Sequence, residues 1–232
     1  MAVEVAKVEL KGVQDASGLE ERILAGQFTA DQVVAVVGKT EGNGGVNDFT
    51  RLLADLAFRR VLMASTATRS EADVATIPMV WSGGCDGVIT PHATVFARND
   101  RKGTPDKARL VIGAAMSAEL QPEDIGRPRM VEIVAEGVKA AMKNAGIDDP
   151  KDVHYVQTKT PLLTDRLGGE REAASGKTVA CEVHDSMGVS NGTTGLGIAV
   201  ALGELADAAR GADLQGSRPL LVGRVRAPPA SS

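Results

Sequence analysis

Aromatic residues are scarce: one Trp, one Tyr and four Phe make up 3% of the 232 residues. Few rings are left on which bases could stack. With a net charge of −4 and no basic stripe, the chain is not expected to take nucleic acid as a partner. Cysteine is nearly absent. Cys85 and Cys181 have no metal-ligand spacing and suggest no disulfide framework, so a cytoplasmic location is expected. No apolar run reaches bilayer-spanning length, and the opening MAVEVAKVELKG lacks the apolar core of a secretory signal. No membrane partner is therefore expected. The balance of 43% hydrophobic and 24% charged residues is that of a globular protein, long enough for one large domain or two ordinary ones.

The most informative stretch is VVAVVGKTEGNGGVNDFTR, residues 33–51. Five consecutive apolar residues predict a central strand over 33–37. It delivers Lys39 into a loop rich in glycine (Gly42, Gly44, Gly45) and polar residues (Asn43, Asn47, Asp48). A helix over 48–64 follows, with Phe49, Leu52, Leu53, Leu56 and Ala57 as its apolar face.

Elsewhere, alternation predicts a strand over 3–8. Ser17 with Glu20 reads as a capping box opening a helix over 17–25. Residues 77–81 form a short apolar strand running into Ser82-Gly83-Gly84, where a hydroxyl meets a turn able to aim N–H groups at a ligand. In the strand pattern of 88–98, Pro91 is a break and His92 beside it is structural. A polar boundary over 99–108 precedes a strand over 109–115, a helix over 126–145 stopped by Gly146, and a strand over 153–156 that ends near Lys159-Thr160. A strand over 178–183 and a small-residue helix over 196–205 complete the reading. In both halves an apolar segment ends in Lys-Thr, at Lys39-Thr40 and Lys159-Thr160, a weak internal repeat.

Three tempting motifs fail. A P-loop ending at Gly38-Lys39-Thr40 needs glycine at position 33, which is Val33. Gly42-x-Gly44 lacks the later glycine and acidic partner of a dinucleotide fingerprint. His184-Asp185-Ser186 are neighbours whose side chains diverge, so they cannot form a relay. What remains is lysine-plus-serine chemistry: a neutral lysine takes a serine's proton, and Arg51 is a cation able to hold a carbonyl oxygen.

The run Gly38 to Arg51 resembles the signature of the cyanuric acid amidohydrolase and barbiturase family, the ring-opening amidohydrolases. Trp81-Ser82-Gly83-Gly84 with Gly87-Val88-Ile89-Thr90-Pro91-His92 is similar to that family's first serine segment. Residues 153–164 resemble its second lysine segment, and 186–190 with 195–204 its second-unit helix. The resemblance implies an α/β fold of repeated, threefold pseudo-symmetric units, two of the three present and the second incomplete. The units fall at 1–104 and 105–212, followed by a divergent tail at 213–232.

It further implies hydrolysis of a cyclic amide C–N bond in a small planar ring, cyanuric acid ahead of barbiturate. Lys159, Lys39 and Ser82 are the implied catalytic residues, with Lys159 the base. Arg51, Ser82, Gly83 and Asn191 are the implied ring contacts; Asn191 stands where the family has arginine. The family's structural metal site belongs to a third unit, so no cofactor is expected, and a homotetramer is the implied assembly. The serine that Lys159 would activate is not recognisable in LQGSRPLLVGRVRAPPASS. Weak or no turnover is therefore expected, and the alternative is a fragment that binds the ring without opening it.

Overall fold

The computed structural model describes residues 2–85, 87–99, 110–161, 163 and 183–205. They divide into a first unit, residues 1–118 with 137–159, and a second, residues 119–136 with 160–232. The boundary expected near residue 104 and the tail over 213–232 lie outside the described residues.

The first unit is a four-stranded mixed sheet, β1 (Ala2–Glu9), β2 (Val33–Lys39), β3 (Met79–Ser82) and β4 (His92–Asn99), in the order β1-β4-β2-β3. β4 runs antiparallel to both β1 and β2, and β2 runs parallel to β3. The apolar run of β2 thus sits between two strands, as five apolar residues in succession require. Alternation puts Ala6, Val8, Ala93, Val95 and Ala97 on one buried face. Against it lie α1 (Ser17–Leu24), α2 (Thr50–Ser65) and the short α3 (Glu71–Ala75). Phe58 meets Trp81 edge-to-face, with ring centroids 5.0 Å apart. Trp81 also explains Gly38: a Cβ there would stand 2.1 Å from its ring.

Two local expectations are corrected here. Ser17 is the first residue of α1 rather than its cap. Ala16 is the N-cap, and Asp15 before it accepts the Ser17 N–H at 3.0 Å and the Lys11 N–H at 2.9 Å. In α2 the buried residues are Ala54, Phe58 and Leu62, while Phe49, Leu52 and Leu56 are 70%, 60% and 55% exposed. Two apolar stripes compete on this helix, and Arg59 fixes which one turns inward. Its guanidinium pairs with Asp55 at 2.6 Å and donates to the carbonyls of Val74 at 2.5 Å and Ile77 at 3.3 Å. That ties the helix to the chain entering β3.

Residues 110–121 carry no strand, against the expectation for 109–115. Gly113 packs on α4 (Pro128–Ala145), where a Cβ would come within 2.0 Å of the Ala141 carbonyl. The Asn144 side chain takes the Ala114 N–H at 3.2 Å, a bond that a neighbouring strand would otherwise supply. Gly146 (φ +71°) ends α4 as expected, with Ile147 N–H returning to the Met142 carbonyl at 3.0 Å. Residues 153–156 are likewise not a strand.

The second unit holds the first half of α4 and a helix α5 (Val183–Ala201). α5 begins well before the helix expected over 196–205, and Val183 belongs to it rather than to the expected strand, whose remainder lies outside the described residues. Glycine and threonine give α5 poor intrinsic propensity, but packing overrides it. Gly197 lies so close to α4 that a Cβ would stand 2.6 Å from Val134. Ser186 is buried in α5 and accepts the Leu163 N–H at 2.7 Å, a structural use of that hydroxyl. No helix among the described residues is long and apolar enough to cross a membrane.

Candidate active site

The parallel pairing of β2 with β3 brings together residues 43 apart in sequence. Lys39 and Ser82 occupy facing positions at the two strand ends. The Lys39 Nζ lies 3.2 Å from Ser82 Oγ and 2.5 Å from the Gly83 carbonyl. Thr40 N–H continues the ladder onto the Ser82 carbonyl at 2.8 Å. A lysine held by a sheet register has its position set by the ladder as well as by its own rotamers.

The glycine loop folds over this pair. Gly84 N–H donates to the Gly42 carbonyl at 2.5 Å, fastening the serine turn to the loop. At the loop's root is Asp48, whose side chain is fully buried. Its Oδ2 accepts the Gly44 N–H at 2.9 Å, and its Oδ1 accepts the Thr50 N–H at 3.0 Å and the Thr50 hydroxyl at 2.5 Å. Burial works to raise the carboxyl's pKa. The Thr50 hydroxyl, the Gly44 and Thr50 N–H groups and the Arg51 charge outweigh it and hold the carboxyl below its ordinary value.

Arg51 stands in the first turn of α2. It donates to the Gly45 carbonyl at 2.6 Å, with its Nε 3.7 Å from Asp48. Lys39, Ser82, Gly83 and Arg51 thus surround one loop. Ser82 is exposed and Lys39 partly so. A small ligand can reach both.

The other two expected residues have different surroundings. Lys159 is exposed, and no serine hydroxyl among the described residues hydrogen-bonds it. Asn191 is exposed on α5, and its Oδ1 accepts the Thr160 hydroxyl at 2.8 Å. His92 opens β4 with Nδ1 2.6 Å from the Thr90 carbonyl, a structural bond. No group of metal-ligating side chains occurs among the described residues.

The sequence reading names Asp48 and Thr40 but gives neither a role in the site. The signal was present, because an Asp two residues before a helix-opening Thr is a capping pattern. The glycines around it also needed a reason. A Cβ at Gly42 would fall 1.9 Å from Asp48 Oδ1, and one at Gly83 would fall 2.0 Å from Oδ2.

A family model described as amidohydrolase ring-opening protein matches residues 4–219. Barbiturase 2 of Nocardioides sp. is 56% identical over 205 residues, covering 88% of this chain and 55% of the relative. Cyanuric acid amidohydrolase of Rhizobium leguminosarum is 47% identical over 208 residues, covering 88% and 56%. The crystal structure of cyanuric acid hydrolase from A. caulinodans superposes with a TM-score of 0.80 at 39% identity, over 90% of this chain and 57% of that one. The chain spans little more than half the length of these relatives.

Proposed function

The chain belongs to the ring-opening amidohydrolase family, and from that premise we propose that it engages a planar cyclic amide and hydrolyses a ring C–N bond through Ser82 and Lys39, Lys39 taking the base role that the resemblance implies for Lys159. The observation that carries this reading is the 3.2 Å separation of Lys39 Nζ from Ser82 Oγ. That is hydrogen-bond reach between a nucleophile and its base.

Lys39 takes the serine proton while Oγ bonds to a ring carbonyl carbon. The ring C–N bond then breaks, and the departing nitrogen receives the proton from Lys39. Water, deprotonated by the same amine, bonds to the acyl carbon; the C–Oγ bond breaks, Oγ recovers the proton from Lys39, and the opened product leaves. The Arg51 guanidinium holds a second carbonyl, and backbone N–H groups of the Ser82-Gly83 turn stabilise the oxyanion. Lys159 and Asn191 are each further candidates for contact with the ring.

Barbiturate takes precedence over cyanuric acid as the ring. Relatives named barbiturase reach 56% identity, whereas those named cyanuric acid amidohydrolase reach 47%. Loss of ultraviolet absorbance from each ring, followed with the intact chain and with Ser82→Ala, tests the proposal. Turnover abolished by Ser82→Ala supports it. Turnover that survives Ser82→Ala rejects the assigned nucleophile. Thermal stabilisation by the ring without turnover rejects the hydrolytic role and leaves ring binding.

A further inference from the structure

We propose that Asp48 is the positioning residue of the Lys39–Ser82 arm, its buried carboxylate forming the seat on which Gly83 rests and through which Lys39 is aimed. The proposal rests on the reading of Lys39 and Ser82 as members of the ring site and names what holds them.

A helix cap accounts for only half of this carboxylate. Oδ1 serves the start of α2 through the Thr50 N–H and hydroxyl. Oδ2 serves nothing in the helix. It turns the other way, accepts the Gly44 N–H at 2.9 Å and abuts Gly83, where a Cβ would lie 2.0 Å from Oδ2 and 2.8 Å from Gly44 N. The carbonyl of that same Gly83 accepts the Lys39 Nζ. Arg51 adds little direct bonding, its Nε being 3.7 Å from Oδ2.

A second route leads to the same lysine. Thr50 has one hydroxyl proton, and the carboxylate takes it. The Thr50 hydroxyl also lies 2.9 Å from that of Thr40, whose own proton is directed at the Ser82 carbonyl at 3.4 Å. Thr40 is the residue after Lys39. One buried carboxylate thus fixes Lys39 from two sides, through the Gly83 carbonyl and through the backbone at Thr40. An amide at position 48 cannot replace it, because its NH2 would face the N–H donors that the carboxylate now accepts.

The test compares the intact chain with Asp48→Asn and Thr50→Val. Each is treated briefly with acetic anhydride, and acetylation of each lysine is read by peptide mass spectrometry. Lys7 and Lys139, both exposed, are internal references. Melting temperature is recorded in parallel. The expected result is a Lys39-to-reference labelling ratio at least threefold higher in Asp48→Asn, and a smaller rise in Thr50→Val. A purely structural role would lower the melting temperature without changing that ratio in the folded variants, and this result would overturn the proposal. If Asp48→Asn does not fold, Thr50→Val decides alone, and an unchanged ratio there rejects the proposal. Ring turnover of Lys39→Ala separates the two readings. Unchanged turnover together with a raised ratio in Asp48→Asn rejects the chemistry assigned to Lys39 and keeps the positioning role of Asp48.

Discussion

Lys39-Thr40 leaves a strand that is hydrogen-bonded on both sides, whereas Lys159-Thr160 leaves a segment that is not a strand. The first lysine meets a serine hydroxyl and a carbonyl delivered by the neighbouring strand. The second is exposed and meets no serine among the described residues. The threonines differ in the same way. Thr40 pairs with Thr50, which is tied to a buried carboxylate, while Thr160 pairs with exposed Asn191. The same dipeptide therefore has two different chemical prospects, and the cause is the sheet register. A ladder fixes where a strand-end side chain stands, and a segment outside a sheet lacks that constraint.

The largest effect expected from this contrast is on turnover. Lys39→Ala should lower ring opening by about 10²- to 10⁴-fold, the usual worth of a general base. Lys159→Ala should cost about tenfold or less, as a ring contact would. Equal losses, or a greater loss at Lys159, would break the comparison; ultraviolet assays of both variants under one condition decide it.

The next effect concerns the frame under the first arm. Phe58 is wholly buried against Trp81, so Phe58→Ala should cost about 3–5 kcal/mol. Denaturant titration followed by fluorescence of Trp81, the single tryptophan, measures it directly. A cost below about 1 kcal/mol would mean that the site does not depend on this core.

A pH dependence comes third. Asp31 accepts the hydroxyls of Thr66 at 2.6 Å and Thr68 at 2.7 Å and the Ala67 N–H at 3.1 Å, which hold its carboxyl far below the usual range. A depressed carboxyl contributes stability that is full above its unfolded pKa of about 3.9 and is lost as pH falls through the folded value. Asp31→Asn should therefore destabilise by roughly 1–3 kcal/mol at neutral pH, and the gap to the parent should narrow below about pH 4. Melting curves at pH 7 and pH 3 with equal gaps would contradict this.

The smallest effect belongs to Asn191. Asn191→Ala removes one exposed hydrogen bond and should change stability by less than about 0.5–1 kcal/mol in a denaturant titration. A larger loss would show that the Asn191–Thr160 bond is more firmly anchored than its exposure implies.

Much of the first unit was legible because its signals were local. The apolar run of β2, the glycine loop and the strand entering Ser82-Gly83 each specify an element, and their order places Lys39 beside Ser82. The inward face of α2 was not legible, because Arg59 chooses it through carbonyls at Val74 and Ile77 that are distant in sequence. The strands expected at 109–115 and 153–156 have apolar residues, but residues 110–115 and 153–156 pair with no strand among the described residues, and pairing is what makes a strand. α5 was misjudged because close packing at Gly197 outweighs the poor helix propensity of its glycines.

The central claim is that Ser82, activated by Lys39, is the nucleophile. Opening a ring expels no fragment, so an acyl-enzyme keeps the whole mass of the substrate. Rapid acid quenching of the chain with barbiturate, followed by peptide mass spectrometry, reads this directly. The account predicts that mass on the peptide containing Ser82, and its absence in Lys39→Ala. The same mass on a peptide without Ser82 would contradict the account.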